Sequence, residues 1–337
     1  MPRKARIDAP GALHHVIVRG LNRQTIFADP SDHRFFLERL AQLLDESGTR
    51  CFAWALLPNH FHLLLQTGHH PLTFLMQKLL TAHAVRFNRR HERVGHLFQN
   101  RYRSILCQEE PYLLELVRYI HLNPLRAGLV ADLRALRTYA YCGHGVLLGR
   151  LQHPWQDRHT ILARFGVTEN AARRRYDQFV AKGVAMGRRS DLAGGGLLRS
   201  QGGWAAIKAN RRVGDYQKGD ERILGDGRFV DRALERAEER LQNRFRLQQA
   251  GYDLDKLIAM VADCLQITPA MVLDRQRDRR RTTARDLLCF LATDRLGVTQ
   301  ATLAQRLHRS QSAISHAAAR GRALMARDAY PVLNRLF

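Results

Sequence analysis

Cysteine is scarce in this chain. The 337 residues contain five, at Cys51, Cys107, Cys142, Cys264 and Cys289, with no Cys-x-x-Cys pair among them. That argues against a disulfide scaffold or a zinc knuckle and for a reducing cytoplasm. Long apolar stretches are missing too: nowhere do about 18 apolar residues run together, and the start MPRKARIDAPG lacks a signal-peptide core. A soluble, cytoplasmic, nucleoid-associated protein is expected. Acidic residues are also few. Asp plus Glu number 31 against 54 Lys plus Arg, a net charge of +23. An excess of this size speaks of partners rather than fold, and it favours a polyanion, nucleic acid first. Arg outnumbers Lys, which suits bidentate phosphate contacts and stacking on bases, although a GC-rich genome also raises Arg.

What is present includes a core. Hydrophobic residues make up 45% of the chain, and the length allows two domains. The central stretch is Trp54–Thr67, WALLPNHFHLLLQT. It reads as two apolar strands, Arg50–Leu57 and His60–Gln66, meeting at a Pro58–Asn59 turn. Side chains alternate across a strand, so His60 and His62 share one face while Phe61, Leu63 and Leu65 take the other. Two neutral imidazoles so placed make half of a metal site; alone, they read equally as two polar residues on a strand.

Around this hairpin, Leu13–Val18 reads as a strand ending in the turn Arg19–Arg23. Pro30–Ser47 reads as a helix stopped by Gly48, and Pro71–Arg90 as a second helix with His83 at the edge of its apolar stripe. Tyr102–Cys107 reads as a fourth strand. Strand, helix, strand, strand, helix, strand is the split βαβ, ferredoxin-like arrangement of an α+β protein with an antiparallel sheet. Arg86–Arg103 is a basic run in which Phe87, Phe98 and Tyr102 are interleaved, a composition suited to stacking bases and gripping phosphates. Glu110–Asn123 is a helix with Pro111 in its first turn, closed by Pro124. Tyr119 and Asn123, four apart, stack on one side of it. They can supply a nucleophile and a third ligand, or simply pack.

Taken together, Pro58-Asn59-His60-Phe61-His62-Leu63-Leu64 and Tyr119-Ile120-His121-Leu122-Asn123-Pro124-Leu125-Arg126-Ala127-Gly128 resemble the REP-associated tyrosine transposases, single-tyrosine relatives of the His-hydrophobe-His ("HUH") transposases of insertion sequences. Arg19–Gln24, Phe87–His91 and Gly95–Tyr102 match as well, and the likeness spans about residues 10 to 180. It implies an HUH palm in which His60, His62 and Asn123 hold a divalent metal, Mg²⁺ or Mn²⁺, and Tyr119 is the nucleophile. It also implies a substrate of single-stranded DNA next to a palindromic hairpin, a 5′-phosphotyrosine intermediate, and action as a monomer. For DNA contacts the expected residues are Arg19, Asn22 and Arg23 in the first turn, with Arg89, Arg90, Arg101, Tyr102 and Arg103 in the basic run.

Leu133–Ala181 reads as helical, with segments at Trp155–Phe165 and Asn170–Ala181. The domains expected are residues 1–185 for catalysis, 186–245 as a Gly-rich basic connector with a charged helix at Arg228–Gln242, and 246–337 as a helical unit. In the last, Thr299–Met325 has the form of a helix-turn-helix, with Thr299 and Ser310 as N-caps and His308 where a turn glycine is common. The segment resembles the DNA-binding domain of the replication initiator DnaA. That likeness implies duplex DNA as a partner: the basic loop with Arg279, Arg280 and Arg281 on the backbone, Gln311, Ser312, Ser315 and His316 toward the major groove, and Arg320 on phosphate. A transposase-type strand transferase is the reading these residues favour. The alternatives are a nickase, or a regulator that keeps the fold and binds hairpins without turnover.

Overall fold

The structure, a computed structural model, describes residues 7, 11–187, 189, 192, 220, 222–235, 247, 249–274, 276, 278–327, 330 and 333. The chain divides into two compact units, Met1–Ala233 and Leu234–Phe337. Of the connector expected at 186–245, only residues 186, 187, 189, 192, 220 and 222–235 are described, so the end of its expected helix at Arg228–Gln242 lies outside the described residues.

The first unit is built on β1 (Leu13–Arg19), α1 (Pro30–Ser47), β2 (Arg50–Leu57), β3 (His60–Gln66), α2 (Leu72–Arg90), β4 (Arg103–Cys107) and α3 (Glu109–His121). The sheet order is β2-β3-β1-β4-β5, where β5 is Ile223–Leu224. β1 is antiparallel to β3 and β4, and β2 is antiparallel to β3. β1 and β2 therefore run parallel with β3 between them, which is the split βαβ of a ferredoxin-like sheet. β5 was not anticipated. It pairs parallel to β4 at the sheet edge, and both of its residues are fully buried.

Period-two alternation sorts the strands onto two cores. Val16, Val18, Phe61, Leu63 and Leu65 pack with α1 and α2, through Phe36, Leu40, Leu75 and Leu79. Leu13, Leu64, Ile105 and Cys107 pack with Leu113, Leu116, Val117 and Ile120 of α3. α1 starts where the Asp29 carboxylate accepts from the Ser31 and Asp32 amides, and it stops at Gly48, whose φ is 62°. His83, expected at the edge of its stripe, is instead buried. Its Nε2 bonds the Ile26 carbonyl oxygen at 2.7 Å, which satisfies a polar group inside the core.

Beyond α3 the chain makes α4 (Asn123–Arg126), α5 (Leu133–Leu136), α6 (His144–Leu147), α7 (Arg158–Leu162) and α8 (Glu169–Lys182). Trp155 and Gln156, expected in a helix, lie outside one. Gln156 bridges to Cys51, and its buried side-chain oxygen accepts from Trp54 Nε1 at 2.8 Å, so this stretch runs along β2 instead.

The second unit is helical: Leu254–Cys264, Pro269–Leu273, Arg279–Asp294, Gln300–Arg306 and Gln311–Ala326. Thr299 and Ser310 cap the last two helices through the Thr302 and Ala313 amides. His308, in the turn between them, has a φ of 50°, a left-handed conformation that glycine adopts more readily. Gly321 allows a close approach between two of these helices. A Cβ there would lie 2.0 Å from the Asp286 carbonyl oxygen, so only glycine lets Gln311–Ala326 seat against Arg279–Asp294.

Candidate active-site cleft

On the α3 side of the sheet the same alternation carries His15, Ile17 and Arg19 of β1, His60 and His62 of β3 and Arg103 of β4. The tip of α3 and the start of α4 close over them. The result is a cleft of about 590 Å³ whose lining includes His60, His62, Tyr119, Asn123, Arg126 and Arg189. The four residues expected to act together do share one cavity wall.

Their hydrogen bonds orient them. His60 Nδ1 lies 2.7 Å from Asn59 Oδ1, while Asn59 Nδ2 donates to the Arg23 carbonyl. An amide oxygen only accepts, so His60 carries its hydrogen on Nδ1 and leaves the Nε2 lone pair open. His62 Nδ1 lies 3.0 Å from His15 Nε2, the two rings stacked 5.2 Å apart. The His60 and His62 rings are also 5.2 Å apart, nearly perpendicular. Burial, with Arg19 adding to it, pulls His60 down to about 4. Burial also drives His62 well below the usual histidine range, with His15 and His60 acting in the same direction. Both rings are therefore neutral at pH 7, the form that ligates metal.

Asn123 donates from Nδ2 to the Tyr119 carbonyl at 2.9 Å, which leaves Oδ1 as its acceptor. Two imidazole nitrogens and an amide oxygen fit a divalent ion such as Mn²⁺. Another cluster, Asp29, Asp32 and His91, has its ligand atoms within 4.8 Å of one another and could also hold a cation. Arg90 already spans both carboxylates and the Asp29 oxygen caps α1, so an ion there competes with a resident guanidinium.

The helix bearing Tyr119 is fixed from behind. His121 Nδ1 contacts the buried Tyr176 hydroxyl at 2.7 Å, and His144 Nδ1 contacts the same oxygen at 2.9 Å. Tyr119 stands edge-on to His15 and to His62, each 5.9 Å away between ring centres. The Arg126 guanidinium lies 5.6 Å from the Tyr119 ring centre. Its Nη2 donates to the Gly183 carbonyl, whereas Nε and Nη1 are buried without an acceptor among the described residues.

Residues 10–123 match the family model described as "Transposase IS200 like". The N-terminal region carries an IS200-like transposase domain. A solved structure described as a REP-associated tyrosine transposase bound to a REP hairpin is similar at 16% identity, over 46% of this chain and 90% of that one, with a TM-score of 0.38. No curated protein matches the chain. Among the described residues no helix is long and apolar enough to cross a membrane.

Of the remaining expected contacts in the transposase domain, Arg19, Asn22, Arg23, Arg89, Arg101 and Arg103 are exposed. Arg90 is not a free cation, because Asp29 and Asp32 hold it. Phe87 is a core residue rather than a stacking platform, and Phe98 and Tyr102 are partly buried against the same core.

In the helical unit Gln311 and Ser312 are exposed and His316 is half-buried, but Ser315 is only 5% exposed. Residues 314, 317 and 321 define the packed side of that helix, and 315 falls beside them, away from any groove. Arg320 forms two 2.7 Å hydrogen bonds to Asp286. Arg281 pairs with Asp274 and Asp278, and Arg285 donates to the Asp274 and Gln276 carbonyls, so these two arginines build the loop. Arg279 and Arg280 are exposed.

Sequence reasoning missed His15, Asn59 and Arg126. His15 could have been flagged by its even spacing from Ile17 and Arg19 on β1.

Proposed function

We propose that this protein is a metal-dependent endonuclease and strand transferase acting on single-stranded DNA beside palindromic hairpins, through a 5′-phosphotyrosine at Tyr119. The observation that carries this reading is the meeting of Tyr119 and Asn123 with His60 and His62 in one cleft of an IS200-like transposase domain. His60, His62 and Asn123 would hold a divalent ion. When bound, it supplies Lewis-acid polarisation of the scissile phosphate.

The chain's own residues do the rest. The Tyr119 hydroxyl attacks phosphorus, so the Oη–P bond forms as the P–O3′ bond breaks. The phenol gives up its proton and the departing 3′-oxygen gains one, leaving a free 3′-OH. Attack of a 3′-OH on the phosphotyrosine reverses these steps and joins strands. Asn123 and the His121–Tyr176 contact hold the tyrosine in place, and Arg126 offers its Nε and Nη1 N–H groups to the transferring phosphate. The helical unit would grip duplex DNA through Arg279, Arg280, Gln311, Ser312 and His316, and the protein would act as a monomer.

The test is cleavage of a labelled hairpin oligonucleotide with Mn²⁺ or Mg²⁺. His62→Ala and excess chelator should each abolish it. Cleavage that survives both contradicts the metal site.

A further inference from the structure

The first unit holds a second concavity, of about 420 Å³, formed by the end of α5, the loop after α6 and the first turns of α8. It lies outside the segment matched to the transposase family. Four arginines line it, Arg137, Arg150, Arg173 and Arg174, with Asn170 and Asp177.

Two of the four are held in place. Arg137 Nη2 donates to Asp177 at 2.7 Å, and Arg173 Nη2 donates to Glu169 at 2.5 Å. Gly149, at φ 72°, lets the Arg173 guanidinium lie against the backbone, since a Cβ at that position would come within 2.7 Å of Arg173 Cζ. The other two, Arg150 and Arg174, are exposed and make no ion pair among the described residues. Like charges converging on one cavity repel, and an anion between them relieves that cost. The planar forks match phosphate oxygens, and Asn170 adds a neutral donor. No aromatic ring lines the cavity, so it offers backbone contact without base stacking.

We propose that this cavity is a second phosphate-binding site for the DNA backbone, distinct from the cleft of His60 and His62. The inference rests on the reading that the chain acts on DNA. The floor of the site is continuous with the catalytic helix: Asp177 follows Tyr176, whose hydroxyl contacts His121 of α3.

The experiment measures affinity of the full-length protein for a hairpin with single-stranded flanks between 50 and 300 mM salt, ranges over which phosphate contacts register strongly at roughly this ionic strength. Arg150→Glu/Arg174→Glu is compared with wild type and with Arg34→Glu/Arg39→Glu, the same charge change on α1. The site predicts about a tenfold larger loss for the first pair at low salt and a salt slope smaller by about 1–2. Equal losses in the two double variants overturn the site while leaving the DNA reading intact. Wild type that binds no DNA at any salt overturns both. Inorganic phosphate at millimolar levels that raises the melting temperature of wild type and not of the variant, while the two bind DNA equally well, would assign the cavity to free phosphate, and that also overturns the proposal.

Discussion

His15 Nε2 and His62 Nδ1 lie 3.0 Å apart, with His62 lining the cleft and His15 fully buried behind it. β1 and β3 pair so that His15 stands opposite Leu64, which makes His62 its diagonal neighbour on the same face. If His15 accepts from His62 Nδ1–H, the His62 Nε2 lone pair is left for a metal, as Asn59 leaves that of His60. His15→Ala should then weaken Mn²⁺ binding by about 10–100-fold, measured by calorimetry on the DNA-free protein. Unchanged affinity would remove His15 from that role.

Arg126 has two buried N–H groups, on Nε and Nη1, that lack an acceptor among the described residues, an arrangement that is costly until an anion arrives. Arg126→Ala should slow single-turnover cleavage by about 10²–10³ while hairpin affinity changes far less. Guanidinium ion added to the buffer should restore part of the rate. A rate equal to wild type contradicts the assignment.

Arg320 reaches Asp286, whose side chain is 6% exposed, while the arginine itself is 56% exposed. Burial raises the Asp286 carboxyl, and the Arg320 contacts oppose that shift. Arg320→Ala strands the carboxylate. The helical unit should lose about 1–2 kcal/mol, less than for a fully buried pair because water screens one side. Chemical denaturation followed by circular dichroism measures it. Lost duplex affinity with unchanged stability would return Arg320 to the DNA surface.

His83 and His144 are both drawn down to about 4, chiefly by burial. In the unfolded chain they titrate near 6.5, so between those values the unfolded state binds more protons than the folded one. Their contribution is whole above about pH 6.5 and is lost as pH falls toward 4. Melting temperature should drop across that window, and His83→Gln should flatten part of the drop. A profile with the same slope in the variant counts against buried neutral His83.

Much of the transposase fold could be read from periodicity and punctuation. α1 runs from Pro30 to Ser47 as the Asp29 cap and Gly48 stop require, and β2 and β3 begin and end where Pro58–Asn59 demands a turn. The facing of His60 and His62 followed from alternation alone. What stayed hidden depends on register and long-range pairing. Nothing local says that His15 lands diagonal to His62, or that Ile223–Leu224 returns to β4 across more than a hundred residues. Charge was the least legible signal. Arg90, Arg281 and Arg320 look identical to free cations in sequence, yet each is held by carboxylates brought in by folding.

The proposed covalent bond between Tyr119 and DNA is tested by one gel. The full-length protein would be mixed with end-labelled single-stranded hairpin DNA and Mn²⁺, then run under denaturing conditions. A slow, protease-sensitive band is expected that vanishes in Tyr119→Phe, while that variant still shifts the hairpin in a native gel. An adduct that persists in Tyr119→Phe, or none in wild type despite tight binding to hairpins from its own genome, would contradict it.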